Sequence, residues 1–129
     1  MKLLLDTHVW LWMVSQPDRL SAHVAQLLSD ADVQLHLSSA SSWEMAIKYQ
    51  LGKLPLPEAP VHFIPPRLVR DNVRPLPIDH SHALALADLP PHHRDPFDRI
   101  LVAQAQVENL TLVTADKALT AYDVTLLLN

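Results

Sequence analysis

The chain has 129 residues, with no Cys, one Gly, 11 Pro, 49% apolar residues and 19% charged residues. This composition predicts one globular domain spanning residues 1–129, and it excludes disulfides, iron–sulfur clusters and Cys-ligated zinc. The net charge of −4, from 10 basic and 14 acidic residues, gives no basic footprint for nucleic acid. Acids that bind a metal would remove that objection.

The sequence contains no membrane-targeting pattern. Its longest apolar stretch near the N-terminus, residues 9–14, is far shorter than the roughly 20 residues of a spanning helix. Asp6 interrupts the N-terminal apolar run before a signal peptide could form. We therefore expect a cytoplasmic protein without a membrane partner.

The predicted elements alternate between strands and helices. Apolar runs, period-two alternation and helical spacing define them, with Gly and Pro as breakers. In chain order we expect a strand over 2–5, helices over 7–15 and 20–28, a strand over 33–37, a helix from the Ser-rich stretch 38–42 to Gly52, a helix over 65–71, an edge strand or extended segment over 73–78, helices over 79–86 and 97–108, a strand over 111–114, a short helix from Asp116 and a β-rich segment over 122–128. This order predicts an α/β fold whose mostly parallel sheet is covered on both faces.

Four acids occupy places where parallel strands end and helices begin. Asp6 follows the first strand, and Asp116 follows the strand over 111–114. Glu44 and Asp98 lie near the N-termini of their helices. Because these positions share one edge of an open parallel sheet, we expect the four carboxylates to converge where such sheets bind ligands.

Each of these acids also has a purely structural interpretation. Taken one at a time, each acid can be explained by its place at a helix N-terminus. Asp6, Asp116 and also Asp95 could be N-caps, Ser41 and Glu44 could form a capping box, and Asp98 would interact favourably with the helix dipole. Together, four converging carboxylates would repel one another by several kcal/mol at an effective dielectric of about 20. A bound Mg²⁺ or Mn²⁺ would remove the repulsion, and such ions can ready water for attack on a phosphoryl group.

Four short blocks then follow one another along nearly the whole chain. They are LLDTH at 4–8, SASSWEMAIK at 39–48 with LGKL at 51–54, HRDPFDR at 93–99 with AQA at 103–105, and LVTAD at 112–116. Together they resemble a PIN-domain ribonuclease of the VapC toxin type. The resemblance implies a three-layer α/β/α PIN-like domain, Mg²⁺- or Mn²⁺-dependent endonucleolytic cleavage of RNA, a homodimer and inhibition by a cognate antitoxin.

The resemblance also assigns roles to individual residues. It places the catalytic and metal-binding carboxylates at Asp6, Glu44, Asp98 and Asp116. It gives Thr114 the place of an accessory hydroxyl, with an ordinary strand threonine as the alternative. Thr7 and Ser41 are further candidate hydroxyls near the site. Asp95 is either a helix cap or part of the metal site. Arg94, Arg99 and Lys48 are candidates for contact with RNA phosphates, with solvated surface positions as the alternative.

Other side chains favour structural interpretations. The pairs His80/His82 and His92/His93 lack the i, i+4 spacing of a helical metal pair, which disfavours a histidine metal site. Trp10, Trp12 and Trp43 could stack on bases, but core or interface packing is the favoured interpretation.

Two other functions remain as alternatives to a nuclease. One is a catalytically silent PIN-like module that binds RNA or protein. The other is a phosphohydrolase that phosphorylates Asp6, although His8 stands where that chemistry usually places a second carboxylate.

Overall fold

The computed structural model describes residues 1–129. Five strands form one parallel sheet in the order β3-β2-β1-β4-β5. The strands are β1 (Lys2–Leu5), β2 (Gln34–Ser38), β3 (Val73–Leu76), β4 (Thr111–Thr114) and β5 (Leu126–Leu128). On one side of the central strand β1 lie β2 and then β3, and on its other side lie β4 and then β5. The boundary between β1 and β4 is therefore a topological switch point, where open parallel sheets bind ligands at their carboxyl edge.

Six α-helices connect and cover the strands. They are α1 (Thr7–Ser15), α2 (Ala22–Leu28), α3 (Ser39–Gln50), α4 (Pro60–Arg70), α5 (His80–Ala85) and α6 (Pro96–Glu108). Short 3₁₀ turns at Pro17–Arg19, Leu86–Asp88 and Lys117–Ala121 complete the connections. No helix is both long and apolar enough to cross a bilayer.

The sheet separates two hydrophobic cores. Because side chains alternate along a strand, Leu3 and Leu5 of β1 face one core while Leu4 faces the other. The first core lies against α1, α2 and α4, with Trp10 fully buried in it. The second lies against α6, whose Leu101 and Val102 are buried. This arrangement confirms the three-layer α/β/α architecture.

Helix α4 begins earlier than the predicted helix over 65–71. It starts at Pro60 behind the N-cap Ala59, where a proline loses no helical hydrogen bond. The interior residues Pro65 and Pro66 are exposed, whereas Phe63 is buried in the first core. Tertiary burial therefore holds a helical turn that the prolines alone would disfavour. The predicted β-rich segment over 122–128 is also shorter, since only Leu126–Leu128 pairs with β4.

The tryptophans divide into different environments. Trp10 is fully buried, which confirms its predicted packing role. Trp43 is not part of the core, because its surface is 59% exposed and its ring meets Phe97 edge-on at 5.0 Å between centroids, so packing at an interface stays a prediction for it. Trp43 lies on the outer side of α3, because the same helix buries Ala40 and Met45.

Candidate active site

Asp6 lies directly after β1 and is buried, with 5% of its surface exposed. It stands at the N-cap position of α1, yet its side chain caps no helical N–H. Its Oδ2 instead accepts a 2.6 Å hydrogen bond from Thr114 Oγ1. Burial raises the pKa of the Asp6 carboxyl, and the Thr114 hydrogen bond opposes that rise. The capping interpretation is therefore wrong for Asp6, whose carboxylate is held at the end of the strand.

Asp116 lies two residues after Thr114, at the end of β4. Its backbone N–H donates to Thr114 Oγ1 at 3.0 Å, and its Oδ1 accepts from the backbone N–H of Ala118 at 2.9 Å. The side chain thus caps the 3₁₀ turn that follows while the Thr114 hydroxyl joins it to Asp6. Asp116 stays more open than Asp6, because 40% of its side chain is exposed.

Glu44 enters the same region from α3. Helix α3 is capped by Ser38, which accepts from the Ala40 N–H at 3.0 Å, so the predicted Ser41–Glu44 capping box is wrong. Glu44 is buried and its Oε2 pairs with Lys48 Nζ at 2.6 Å. The hydrogen bond to Glu44 raises the pKa of Lys48. The Glu44 side chain is therefore held by Lys48 and caps no helix end.

Two further hydroxyls tie α1 to α3 beside these acids. Thr7 Oγ1 donates to Ser41 Oγ at 2.8 Å, and both side chains are buried. Thr7 follows Asp6, and Ser41 lies one helical turn before Glu44. The hydrogen bond therefore fixes the relative position of the two elements that carry these acids.

Asp95 and Asp98 share the N-terminus of α6. Asp95 Oδ1 accepts from the N–H groups of Phe97 at 2.8 Å and Asp98 at 3.4 Å, which confirms the predicted cap. Asp98 stands at N3 of this helix, and its carboxylate faces the other acids in the groove. Burial, then repulsion from Asp6 and Asp95, raises the pKa of Asp98 to about 7. Burial and the two neighbouring carboxylates thus both hinder the ionisation of Asp98.

His93 joins this cluster, although its sequence spacing disfavoured a histidine site. Its Nε2 lies 3.0 Å from Asp116 Oδ2 and 3.4 Å from Asp98 Oδ2. The potential ligand atoms of these three residues all lie within 4.8 Å of one another. An i, i+4 pair on a helix is the usual sequence signal of a histidine metal site, whereas His93 lies in the loop before α6. Its position next to the Asp95 cap was the available signal.

A second group, Asp79, His82 and Glu108, also brings possible ligand atoms together. Both ring nitrogens of the buried His82 are already engaged there: Nδ1 accepts the Asp79 N–H at 3.1 Å, and Nε2 lies 2.8 Å from Glu108 Oε1. These contacts cap α5 and join it to α6. The group is a structural link between two helices.

The acids of the sheet edge line one open groove of about 320 Å³. Its walls contain all four predicted carboxylates, those of Asp6, Glu44, Asp98 and Asp116. The other lining residues are His8, Trp12, Lys48, Asp95 and Ala115. Thr114 lies fully buried beneath them. The groove lies at the switch point between β1 and β4, as the order of elements predicted. A set of converging carboxylate oxygens of this kind suits a hard divalent cation.

The two predicted arginines lie outside the groove lining. Arg99 uses its guanidinium to hold the preceding loop, because Nη1 lies 3.1 Å from Pro90 O and Nη2 lies 3.3 Å from Leu89 O. Arg94 is exposed on that loop. Of the three predicted phosphate contacts, Lys48 alone lines the groove.

Comparison with known proteins identifies the family. The PIN domain profile matches residues 3–124. Ribonuclease VapC22 of Mycobacterium tuberculosis is 30% identical over 121 residues, covering 93% of this chain and 91% of that protein. Ribonuclease VapC16 of the same organism is 45% identical over 56 residues, a segment that spans 43% of this chain and 40% of that protein.

Solved structures share the same architecture. VapBC2 from Rickettsia felis, bound to a DNA fragment from its promoter, superposes with a TM-score of 0.75 at 18% identity and covers 100% of this chain and 99% of that one. FitAcB from Neisseria gonorrhoeae gives a TM-score of 0.62 at 25% identity, covering 98% and 96% of the two chains. A toxin–antitoxin complex from Klebsiella pneumoniae gives 0.54 at 18% identity, covering 88% and 86%. The chain therefore belongs to the PIN domain family, in the group of the VapC ribonucleases.

Proposed function

We propose that this chain is a metal-dependent endoribonuclease that acts as the toxin of a toxin–antitoxin pair. The observation that carries the proposal is the convergence of four carboxylates, from four separate elements, in one groove at the switch point of the sheet. The similarity to Ribonuclease VapC22 over nearly the whole chain supports RNA as the substrate. Residues 1–129 would then act as a single PIN domain, working in the cytoplasm.

The donor set of the groove fits Mg²⁺ or Mn²⁺. Its ligand atoms are carboxylate oxygens, which these ions prefer to nitrogen or sulfur. Burial is the main cause of the raised pKa of Asp98, and repulsion from the neighbouring carboxylates, which a cation would balance, adds to it. We assign the ligands to Asp6, Glu44, Asp98 and Asp116. A bound cation would supply a Lewis acid for the scissile phosphate and make water a stronger nucleophile.

The chain's own residues supply the positions for the reaction. In hydrolysis, water forms a new P–O bond, the bond to a ribose oxygen breaks, and that oxygen takes up a proton. The Thr114 hydroxyl holds Asp6 and the Asp116 backbone, while Lys48 holds Glu44. Fixed carboxylates would hold the cation in one place and could accept hydrogen bonds from the attacking water, which lowers the entropy cost of the step.

Positive charge beside the groove would bind the RNA backbone. Lys48 lines the groove with 40% of its side chain exposed, so its ammonium can pair with Glu44 and still reach a phosphate. Arg94 lies exposed on the loop before α6 and is the second candidate. Arg99 acts indirectly in this proposal, because its guanidinium supports the loop that carries Arg94.

We also propose a homodimer and a cognate antitoxin that covers the acidic groove. The shared fold with the toxin–antitoxin complex from Klebsiella pneumoniae supports the antitoxin partner. An antitoxin segment in the groove would block RNA access. Activity should therefore be measured on protein freed of any such partner.

Cleavage of total RNA in Mn²⁺ tests the proposal. Wild-type protein should cut RNA. A chelator should abolish cutting because it removes the cation, and the variant Asp98→Asn should abolish it because it removes one of the proposed carboxylate ligands. The matched control is Asp32→Asn, an exposed acid outside the groove, which should cut like wild type. If folded wild-type protein binds RNA in Mn²⁺ without cutting any, the chain is a silent PIN-like binding module and the proposal fails.

A further inference from the structure

His93 contacts the acidic site, and each of its own polar atoms has a partner. Its backbone N–H donates to Tyr122 Oη at 2.8 Å, and its backbone oxygen accepts from Arg99 Nη1 at 3.4 Å. In the ring, Nδ1 accepts the backbone N–H of Asp95 at 3.0 Å. The remaining atom, Nε2, faces Asp116 and Asp98. Such complete anchoring gives the ring one orientation.

The Asp95 contact decides which ring nitrogen carries the proton. A backbone N–H can only donate, so Nδ1 must offer its lone pair and the proton of the neutral ring sits on Nε2. Nε2 then donates to Asp116 Oδ2 at 3.0 Å, while Asp98 Oδ2 lies 3.4 Å away as a close charge contact without hydrogen-bond geometry. A protonated nitrogen has no lone pair for a metal. Ligation through Nε2 would require breaking the Asp95 contact.

The two carboxylates beside Nε2 belong to elements that are distant in the sequence. Asp116 follows β4, whereas Asp98 lies in the first turn of α6. Both are carboxylates, and they would repel each other if they were held close without a donor between them. The other Asp116 oxygen is occupied by the Ala118 N–H. The ring of His93 therefore determines how far apart these two carboxylates stand and how they are turned.

We propose that His93 is a positioning residue, which sets the geometry of the Asp98 and Asp116 carboxylates for the divalent cation without ligating it. This inference rests on the proposed function, because it concerns the same carboxylates. Hydrogen-bond partners of metal-binding side chains typically change metal affinity by about 10- to 100-fold when they are removed. The same range applies to His93 if the proposal is correct.

Two amide substitutions separate the functions of the ring nitrogens. In His93→Gln the amide nitrogen can take the place of Nε2 and still donate to Asp116. In His93→Asn the shorter amide reaches only the place of Nδ1, so it can keep the Asp95 contact but loses the carboxylates. His62→Asn is the matched control, since His62 is exposed on α4 and lies outside the groove.

The first readout is Mn²⁺ affinity by titration calorimetry. We expect His93→Asn to bind Mn²⁺ at least about tenfold more weakly than wild type. His93→Gln and His62→Asn should both bind close to wild type. Near-ultraviolet circular dichroism of each variant reports whether the fold is intact. Wild-type affinity in a folded His93→Asn would overturn the proposal.

The second readout needs no variant. Pulsed electron paramagnetic resonance on Mn²⁺-loaded wild-type protein detects a directly bonded nitrogen through its coupling to the manganese spin. We expect no such coupling from a histidine ligand, and a coupling that disappears in His93→Gln would make His93 a ligand and overturn the proposal.

Kinetics distinguish this inference from the proposed nuclease function. In a cleaving wild-type protein, His93→Asn should lower kcat at saturating Mn²⁺ with KM for RNA little changed. If wild type cuts no RNA but the Mn²⁺ affinities differ as expected, the nuclease proposal fails while the positioning role of His93 stands.

Discussion

Thr114 Oγ1 donates a 2.6 Å hydrogen bond to Asp6 Oδ2, joining residues 108 positions apart in the sequence. The same oxygen accepts the backbone N–H of Asp116 at 3.0 Å. One buried hydroxyl therefore connects the ends of the neighbouring strands β1 and β4, and it does so at the point where both acids enter the groove. Its two hydrogen bonds assign it a place in the site that an ordinary strand threonine would not have.

Thr114→Val should remove this connection without changing the volume of the side chain. It leaves the buried Asp6 carboxylate without its donor and the Asp116 N–H without its acceptor, so we expect a loss of about 1 to 3 kcal/mol in the free energy of unfolding. Cleavage should fall by about tenfold or more, as for other groups that orient metal-binding carboxylates. Thr114→Ser keeps the hydroxyl and should restore most of the rate. Urea denaturation and initial cleavage rates measure the two effects, and a wild-type rate in Thr114→Val would contradict this role.

Asp98 predicts how the stability of the metal-free protein depends on pH. Its pKa is about 7 in the folded protein, against an ordinary value of 3.8. The folded protein therefore binds the Asp98 proton more tightly than the unfolded chain does. This tighter proton binding stabilises the folded protein fully below about pH 4, and the stabilisation is lost as the pH rises through 7. Metal-free wild-type protein should accordingly be less stable at pH 8 than at pH 5.

Asp98→Asn should escape this loss, because an amide does not ionise. We expect the metal-free variant to be more stable than wild type at pH 8 by about 1 to 2 kcal/mol, after allowing for solvent screening of a partly exposed group. That difference corresponds to several degrees in Tm. At low pH the two proteins should converge. Calorimetry in a chelator at both pH values checks this, with Asp32→Asn as the control, and a variant that is less stable than wild type at pH 8 would refute it.

Bound Mn²⁺ should reverse the order of stability of wild type and Asp98→Asn. Mn²⁺ at 100 times its dissociation constant would stabilise the folded wild-type protein by about 2.7 kcal/mol. Asp98→Asn lacks one carboxylate of the proposed site, so the same Mn²⁺ concentration should raise its Tm less. A thermal titration with Mn²⁺ measures both curves. Equal Tm gains in the two proteins would place the metal away from Asp98.

Local signals in the sequence were sufficient for most of the fold. The β1 strand, the cap Asp95 and Gly52 after α3 agree with the structure, because backbone hydrogen bonding and φ preferences act over a few residues. Gly52 adopts a φ of 72°, which a glycine reaches without strain. The alternation of strands and helices then brought the four acids to one edge.

Tertiary contacts decided what the sequence left open or predicted wrongly. Burial of Phe63 extends α4 back through a proline pair. The orientation of α3 turns Trp43 outward, which helical spacing alone did not reveal. His93 reaches the acids only because Tyr122 and Arg99 hold its loop in place. None of these contacts leaves a periodic signal in the chain.

Lys48 provides a test of how the RNA backbone is bound. If its ammonium contacts one phosphate, Lys48→Met should reduce the steepness of the salt dependence of RNA affinity by about 0.7 in the slope of log K against log salt. Lys48→Arg keeps the charge and should keep the slope. Lys53→Met is the control, as Lys53 is exposed and outside the groove. Fluorescence anisotropy with a short RNA over a salt series gives the slopes, and an unchanged slope in Lys48→Met would remove Lys48 from the RNA path.

Trp12 lies where the acidic groove meets a second groove of about 230 Å³. The Arg19 guanidinium lies 4.6 Å from the centre of the Trp12 ring, and both grooves are lined by His8 and Trp12. The ring is thus placed to stack on an unpaired base next to a phosphate in the acidic groove. Trp43 is also exposed but lines neither groove, so it offers a matched comparison.

Trp12→Ala should therefore weaken binding of single-stranded RNA by about tenfold, since stacking on one aromatic side chain contributes about 1 to 3 kcal/mol per base. Trp43→Ala should bind RNA close to wild type. An RNA series with one abasic position at a time identifies the base: the abasic site that weakens wild-type binding should have little further effect on Trp12→Ala, because the contact is already lost. Anisotropy in the cleavage-deficient Asp98→Asn background keeps the RNA intact during the measurement. Equal losses for Trp12→Ala and Trp43→Ala would mean that neither ring marks a specific base site, and recognition would then depend on the backbone contacts of the acidic groove.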